Sequence, residues 1–592
     1  MPPDGREILG RAVYNDSASV ECLDVAVEWL RICRSNHRDC HQTWRPVEDR
    51  LPKRVIEVGH EFDHPRLLVT GDNFGTWIAL SYCWGGNSPF VLNKNTEKDL
   101  KRGIPLSNFP STLRDAIIIT RHLGIKYLWI DALCIQQDSI EDWASTAAKM
   151  REIYAGALLT IAAAHSPSTN SGFFSKRNSP DNRVSLEWTS EINHTKVAYK
   201  VYLRPGSELW DSTLQSSPLM SRGWTLQEGL LAPRTLSYGP QQMIWECSTY
   251  QADESGRITI PTQDYRGKNF MQLMIEGGSG TPNKWKKYEK LFSWTTPPLN
   301  TMLKLKTPQD PYERWYDIVQ QFTRRYLTRD TDTLPALAGL ARVFQRITKD
   351  VYCAGLWKKD IIRGLLWDRL PIWSSDGATR WDNTKSSEYL APSWSWAGFL
   401  GRQTNLPTWR AKDVLSSKLG VSVAEVIEVS TVPKGPDKFG QVKSGKITLK
   451  ARFYQLARAP ADIAEDEMVE NAQEISVFLE YVHRAFRDTG RIEYEFLQQH
   501  VATPTQRFAI IEIIRWAHAP GSGVLGMDFM VLESTGKGDN EYRRIGLFTL
   551  RKENVPNKDA VGPDAYNGII AENKAWTEVV NADWRRKTVT IV

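Results

Sequence analysis

The spacing of apolar positions opens with an amphipathic segment. Across residues 19–45, Val20, Leu23, Val27, Leu30 and Ile32 form an imperfect stripe of helical period. The run "TWIALSYCWGG", residues 76–86, changes period, alternating loosely and ending in two glycines, as a strand feeding a tight loop does. In "PSTLRDAIIITRHLG" the helical period returns through Leu113, Ala116, Ile117, Thr120 and Leu123. The pattern predicts a helix over 111–123, with Ser111 or Thr112 able to cap its start and Gly124 its end.

"YLWIDALCI" is a short apolar run of the kind that fills a strand covered on both faces in a parallel sheet. "SIEDWASTAAKMREIYAGA" predicts one helix, with Trp143, Ala147, Met150, Ile153 and Tyr154 on one side, and "LLTIAAAHS" a further strand. A Ser- and Asn-rich insertion spans about 166–217. "SRGWTLQEGLLAPRTLSYGPQQMIWEC" then reads as a short helix stopped near Pro233 and one strand around 235–246. This alternation predicts an α/β fold, a doubly wound parallel sheet over 75–247 whose strands include Ile78–Tyr82, Tyr127–Asp131 and Leu158–Ala162.

Residues 1–74 read as a helical lead-in and 248–385 as an irregular and helical linker, with helices at 311–326 and 334–347. From 386 to 592 the pattern turns to β, in runs such as "VSVAEVIEVST", "GKITLKARF", "RFAIIEII", "DFMVLES" and "RIGLFTL". The expectation is a second, β-rich unit without tandem repeats.

Composition narrows this picture. A chain of 592 residues exceeds a single core, and its 23 Trp imply large flat apolar contacts. The net charge of +6 is spread without a long Lys/Arg block, so nucleic-acid binding is disfavoured. No run has the ~18 apolar residues of a membrane span, and the first residues lack a signal peptide's apolar core. An intracellular, cytoplasmic protein is expected. Seven scattered cysteines fit reduced thiols better than a disulfide framework. Cys33, His37, Cys40 and His41 cluster in "RICRSNHRDCH"; the reading taken is thiols packed along one face of the first helix, with no metal.

Ligands of open parallel sheets sit at the carboxyl ends of the strands. Those ends here carry "SYCWGG", "DALCIQQD" and "AAHSPSTNSG". All three are polar or glycine-rich. Asp131 either orients a sugar hydroxyl or a cation, or only accepts bonds from the adjacent "SYCWGG" loop. Cys134 is a nucleophile only if a histidine lies beside it; a buried strand thiol is the commoner case. Glu228, behind Arg222 and Trp224 in "RGWTLQEG", is either a cleft carboxylate with a raised pKa or a surface Glu paired with Arg222 or Arg234.

Three of these segments, "WIALSYCWGG", "LWIDALCIQQDSIEDWASTAAKMREIYAGALLTIAAA" and "SRGWTLQEGLLAPRTLSYG", together resemble the fungal heterokaryon-incompatibility (HET) domain over about 75–247. "APSWSWAG" and "RIGLFTL" also look like segments that follow it in fungal relatives. The resemblance implies a filamentous-fungal protein of non-self recognition and programmed cell death, acting through self-association or an incompatibility partner. It further implies a distant TIR-like, flavodoxin-like fold. Glu228 then becomes the catalytic candidate of an NAD-cleaving site, Asp131 a second one, and NAD a substrate rather than a cofactor. Ser81, Tyr82, Trp84 and Gly85 would line that site, with Cys134, Gln137, Asp138, Arg222 and Trp224 around it. Gln227 departs from the TIR pattern, which often has an acidic residue there. The competing readings are an enzyme acting on a small metabolite through the same cleft, and a binding module without chemistry.

Overall fold

The computed structural model describes residues 13–37, 40, 50–86, 90–177, 184–192, 195–203, 217–256, 258–259, 311–369, 372–373, 379–380, 388–398, 404–405, 420–455, 508–517, 525–552, 573, 577 and 584–592. The chain divides into two compact units, Met1–Thr295 and Thr296–Val592.

The first unit is built on a nine-stranded sheet. Its strands are β1 (Arg54–Glu57), β2 (Arg66–Val69), β3 (Trp77–Ser81), β4 (Tyr127–Trp129) and β5 (Leu159–Ala162). A separate hairpin, β6 (Val184–Ile192) with β7 (Thr195–Leu203), lies within the insertion. The sheet then continues with β8 (Arg234–Tyr238), β9 (Met243–Cys247), β10 (Gln251–Asp253) and β11 (Ile258–Thr259). The spatial order is β11-β10-β9-β8-β5-β3-β4-β1-β2. Among the described strands, β4, β3, β5 and β8 run parallel to one another, and the strands beyond β4 and β8 pair antiparallel. The expected all-parallel sheet is thus a mixed one. β3, β5 and β8 are buried at every position, as strands covered on both faces must be.

The helices flanking this sheet are α1 (Val20–Asn36), α2 (Glu97–Arg102), α3 (Ser111–His122), α4 (Asp131–Cys134), α5 (Ile140–Ala147), α6 (Met150–Gly156) and α7 (Gly223–Leu231). α1 buries Cys22, Leu23, Ala26, Trp29, Leu30 and Cys33 and leaves Val20 exposed, so its inner face is turned from the expected stripe. It stops at Asn36, short of residue 45, where His37 takes an extended backbone. The expected lead-in over 1–74 also contributes two strands, β1 and β2, to the sheet.

Three boundaries differ for local reasons. The strand expected to reach Asp131 ends at Trp129, because Asp131 opens α4 and accepts the Ala132 N–H at 2.7 Å. The single helix expected after Ser139 is two, and its buried residues include Asp142, which ion-pairs with Arg54 and Lys53 at 2.8 and 2.6 Å. The strand expected around 235–246 is a hairpin, turned at "GPQQ" by the Gly239 N–H to Gln242 carbonyl bond. Thr112 does not cap α3; its hydroxyl bonds the loop after β5 through Ser166 and the Ser168 carbonyl.

In the second unit, helices Pro311–Thr323 and Ala338–Thr348 occur with a seven-stranded sheet. That sheet comprises Gly420–Ser422, Glu425–Pro433, Val442–Gln455, Phe508–Ala517, Leu525–Ser534, Glu541–Lys552 and Arg585–Ile591. Tryptophan supplies part of its core: the indoles of Trp315 and Trp396 both donate to the Gly355 carbonyl, at 2.8 and 3.0 Å. "APSWSWAG" provides Trp394 and Trp396 to this buried group. No helix among the described residues is long and apolar enough to cross a membrane.

Candidate functional site

The carboxyl ends of β3 and β5 meet through their loops. Thr169, after β5, gives both its N–H and its hydroxyl to the Trp84 carbonyl, at 3.3 and 2.8 Å. Gly85 sits at φ +74, and a Cβ there would stand 2.1 Å from the Ser168 Cβ. Only glycine combines that conformation with that approach.

Ser81 is the last residue of β3, and its hydroxyl donates to Oε2 of Glu228 at 2.5 Å. Glu228 projects from α7 together with the buried Thr225, Leu226 and Leu231, and is only 7% exposed. Burial raises its carboxyl pKa from 4.5 to about 7; the Ser81 bond, the Arg222 guanidinium and the Tyr154 hydroxyl oppose this, while the Asp131 charge adds to it. Glu228 is therefore not the surface residue of the alternative reading, although the Arg222 charge acts on it.

Asp131 accepts the Trp84 indole N–H at 2.9 Å. The expected contact with the "SYCWGG" loop is thus made by a side chain rather than by backbone N–H groups. Burial pushes the Asp131 carboxyl above its ordinary value, against the Arg222 charge and the Trp84 and Ala132 bonds. Tyr82 lies buried beside it; burial and the Asp131 charge hold its phenol well above its ordinary value. Arg222 donates to the Tyr82 carbonyl, which ties the start of α7 to the end of β3. Trp224 packs edge-on against Trp143 of α5, with centroids 6.3 Å apart. The site thus has a buried floor of Ser81, Tyr82 and Glu228 beside the half-buried Trp84, Asp131, Arg222 and Trp224.

The other candidates lie in α4 and the loop after it. Cys134 is buried in α4, not in a strand, and burial lifts its thiol to about 12, so it remains protonated. Gln137 bonds the carbonyls of Asp131 and Ile135 at 3.0 Å each. Asp138 is exposed and accepts the Lys94 N–H at 3.1 Å. Tyr154, read from its spacing as one more apolar contact of a helix face, instead belongs to the site: its hydroxyl donates to the Leu80 carbonyl at 3.1 Å and lies close enough to the Glu228 carboxyl to influence it. Nothing in a helical stripe distinguishes such a tyrosine from a packing residue.

A second cluster lies at the other margin of the parallel strands. Cys33, His37 and Cys40 come together as their proximity in the chain suggests, but their companion is Cys247 at the end of β9. His41 lies outside the described residues. The thiols therefore do not simply line one helix face.

The family described as "Heterokaryon incompatibility protein (HET)" matches residues 77–228, which run from the first residue of β3 to Glu228. No curated protein and no solved structure matches the chain. The first unit thus carries, at residues 77–228, a domain of the heterokaryon-incompatibility family.

Proposed function

We propose that this HET domain cleaves the nicotinamide–ribose bond of NAD, with Glu228 as the reacting carboxylate, in a fungal protein of non-self recognition whose activity leads to cell death. The observation that carries the reading is a buried carboxylate with a pKa near 7, held by Ser81 at the carboxyl end of a parallel strand. The four parallel strands stand in the order second, first, third, fourth along the chain, as in flavodoxin-like sheets. In such sheets a ligand lies where the connections diverge, which here is between β3 and β5.

Departure of nicotinamide takes the bonding electron pair with it and leaves positive charge on the ribose. An ionised Glu228 beside that carbon stabilises the charge, water adds to the carbon, and its proton is released to solvent. The cationic pyridinium of NAD itself favours the ionised carboxylate, since an opposite charge lowers a carboxyl pKa. Arg222 offers charge for a phosphate, and Trp84 and Trp224 offer flat faces for a base.

The test is nicotinamide release from NAD by the purified full-length chain. Turnover in the wild type and its loss in Glu228→Gln supports the reading. A folded wild-type protein without turnover, or equal turnover in both, removes it.

A further inference from the structure

We propose that Cys33, His37, Cys40 and Cys247 form a structural zinc site that fastens α1 to the β9–β10 hairpin. Their ligand atoms all lie within 4.8 Å of one another, and all four residues are buried. His37 Nδ1 stands 3.6 Å from the Cys247 sulfur and 3.9 Å from the Cys40 sulfur. Zinc–sulfur and zinc–nitrogen bonds of about 2.3 and 2.0 Å in a tetrahedron give edges of roughly 3.5–3.8 Å. The cluster already has close to that spacing.

Chain geometry explains the convergence. Cys33 and His37 are four residues apart across the last turn of α1, and so lie on one side. Cys40 follows the turn at His37, and Cys247 ends β9 immediately before the bend into β10. Three thiolates and one imidazole complete a tetrahedral set with no position left for substrate, which marks the site as structural rather than catalytic.

Charge supplies an independent reason. Arg234, 1% exposed, donates from Nε to the Cys33 sulfur at 3.1 Å. Its remaining bonds go to the carbonyls of Leu158 and Cys40, each at 3.2 Å, and no carboxylate pairs with it among the described residues. Three protonated thiols would leave this buried cation uncompensated. A zinc ion with three thiolates carries one net negative charge, which the guanidinium neutralises. Thr249, whose hydroxyl lies 3.4 Å from the Cys40 sulfur, and Tyr250, whose ring packs edge-on to His37 at 4.7 Å, hold the ligands from outside.

The experiment is elemental analysis of the full-length protein purified without added metal, followed by replacement of the bound ion with cobalt(II). The proposal expects about one zinc per chain. It also expects the absorption of tetrahedral cobalt–thiolate in the substituted protein, loss of the metal in Cys247→Ser, and retention in His37→Cys with an altered cobalt spectrum. Arg234→Met is expected to bind zinc about 10–100-fold more weakly. Should Cys247→Ser fail to fold, the wild type still decides, because a strong chelator must then remove one zinc and lower its melting temperature. Folded wild-type protein without zinc, a disulfide between any two of the three cysteines, or melting unaffected by chelator overturns the site.

Discussion

The Ser81 hydroxyl and the Glu228 carboxylate meet at 2.5 Å across 147 residues of chain. The contact joins the end of β3 to α7, so the geometry of the carboxylate depends on the parallel core rather than on a mobile surface loop. It also places a donor on a group that burial would otherwise drive still further toward its protonated form.

One consequence is a stability that depends on pH with a defined sign. The folded pKa of Glu228 lies near 7, above its ordinary 4.5. Its contribution is therefore fully present below pH 4.5 and is lost as pH rises through 7. Glu228→Gln keeps a neutral side chain at every pH. Relative to wild type, its stability is expected to increase by up to about 3 kcal/mol between pH 4.5 and 8, measured by denaturant unfolding. A difference that stays constant with pH contradicts the buried, pKa-shifted carboxylate.

Asp131→Ala removes the acceptor of the Trp84 indole. The expected loss is about 1–3 kcal/mol, toward the lower end because Trp84 keeps some contact with water. Asp131→Asn, which retains an acceptor oxygen, is expected to lose less. Trp84 fluorescence, isolated by comparison with Trp84→Phe, should shift in the Ala variant and less in the Asn variant, whose single amide oxygen replaces two that separately accept the indole and the Ala132 N–H.

Asp142 binds Arg54 and Lys53 and also accepts the Gln136 N–H at 2.9 Å. Burial opposes its charge, but the bonds from Arg54 and Lys53 prevail and hold its carboxyl at about 2. A depressed pKa gives stability that is present above the ordinary 3.8 and is lost as pH falls through 2. Asp142→Ala leaves Arg54 buried without its carboxylate, at a cost of about 3–5 kcal/mol. Acid unfolding of the wild type followed from pH 5 to 2 checks the sign, and the Ala variant checks the magnitude.

Gly85→Ala places a methyl group against Ser168 on a left-handed backbone. A loss of at least about 1 kcal/mol is expected, with faster proteolysis of the loop after β5. Replacement of Gly86, around which a Cβ would meet nothing within 4 Å, meets only the backbone penalty of its φ of +104.

Periodicity carried the alternation of helix and strand through 76–247, because α3 and the buried runs of β3, β4 and β5 each satisfy a single period over their whole length. It failed where a polar residue decides the boundary. Asp131 sits inside an apolar run yet turns the chain by bonding the next N–H, and Asp142 is buried on a helix face that composition assigns to solvent. Antiparallel margins such as β1–β2 and β9–β10 are short, and pairing rather than pattern defines them. The same limit applies to sites. Asp131 was legible as a carboxylate at a strand end and Glu228 as one on the short helix after Trp224, whereas Tyr154 was hidden in an apolar stripe. Cys247 was hidden by distance, since 210 residues separate it from His37.

The most direct measurement of the catalytic claim is the pH profile of kcat/KM for nicotinamide release from NAD, in the wild type and in Glu228→Gln. The account predicts a wild-type rate that rises with pH as Glu228 ionises, with a midpoint near 7, and a variant at background throughout. Turnover that is flat with pH and equal in the two proteins, or no turnover in folded wild type at any pH, would contradict it.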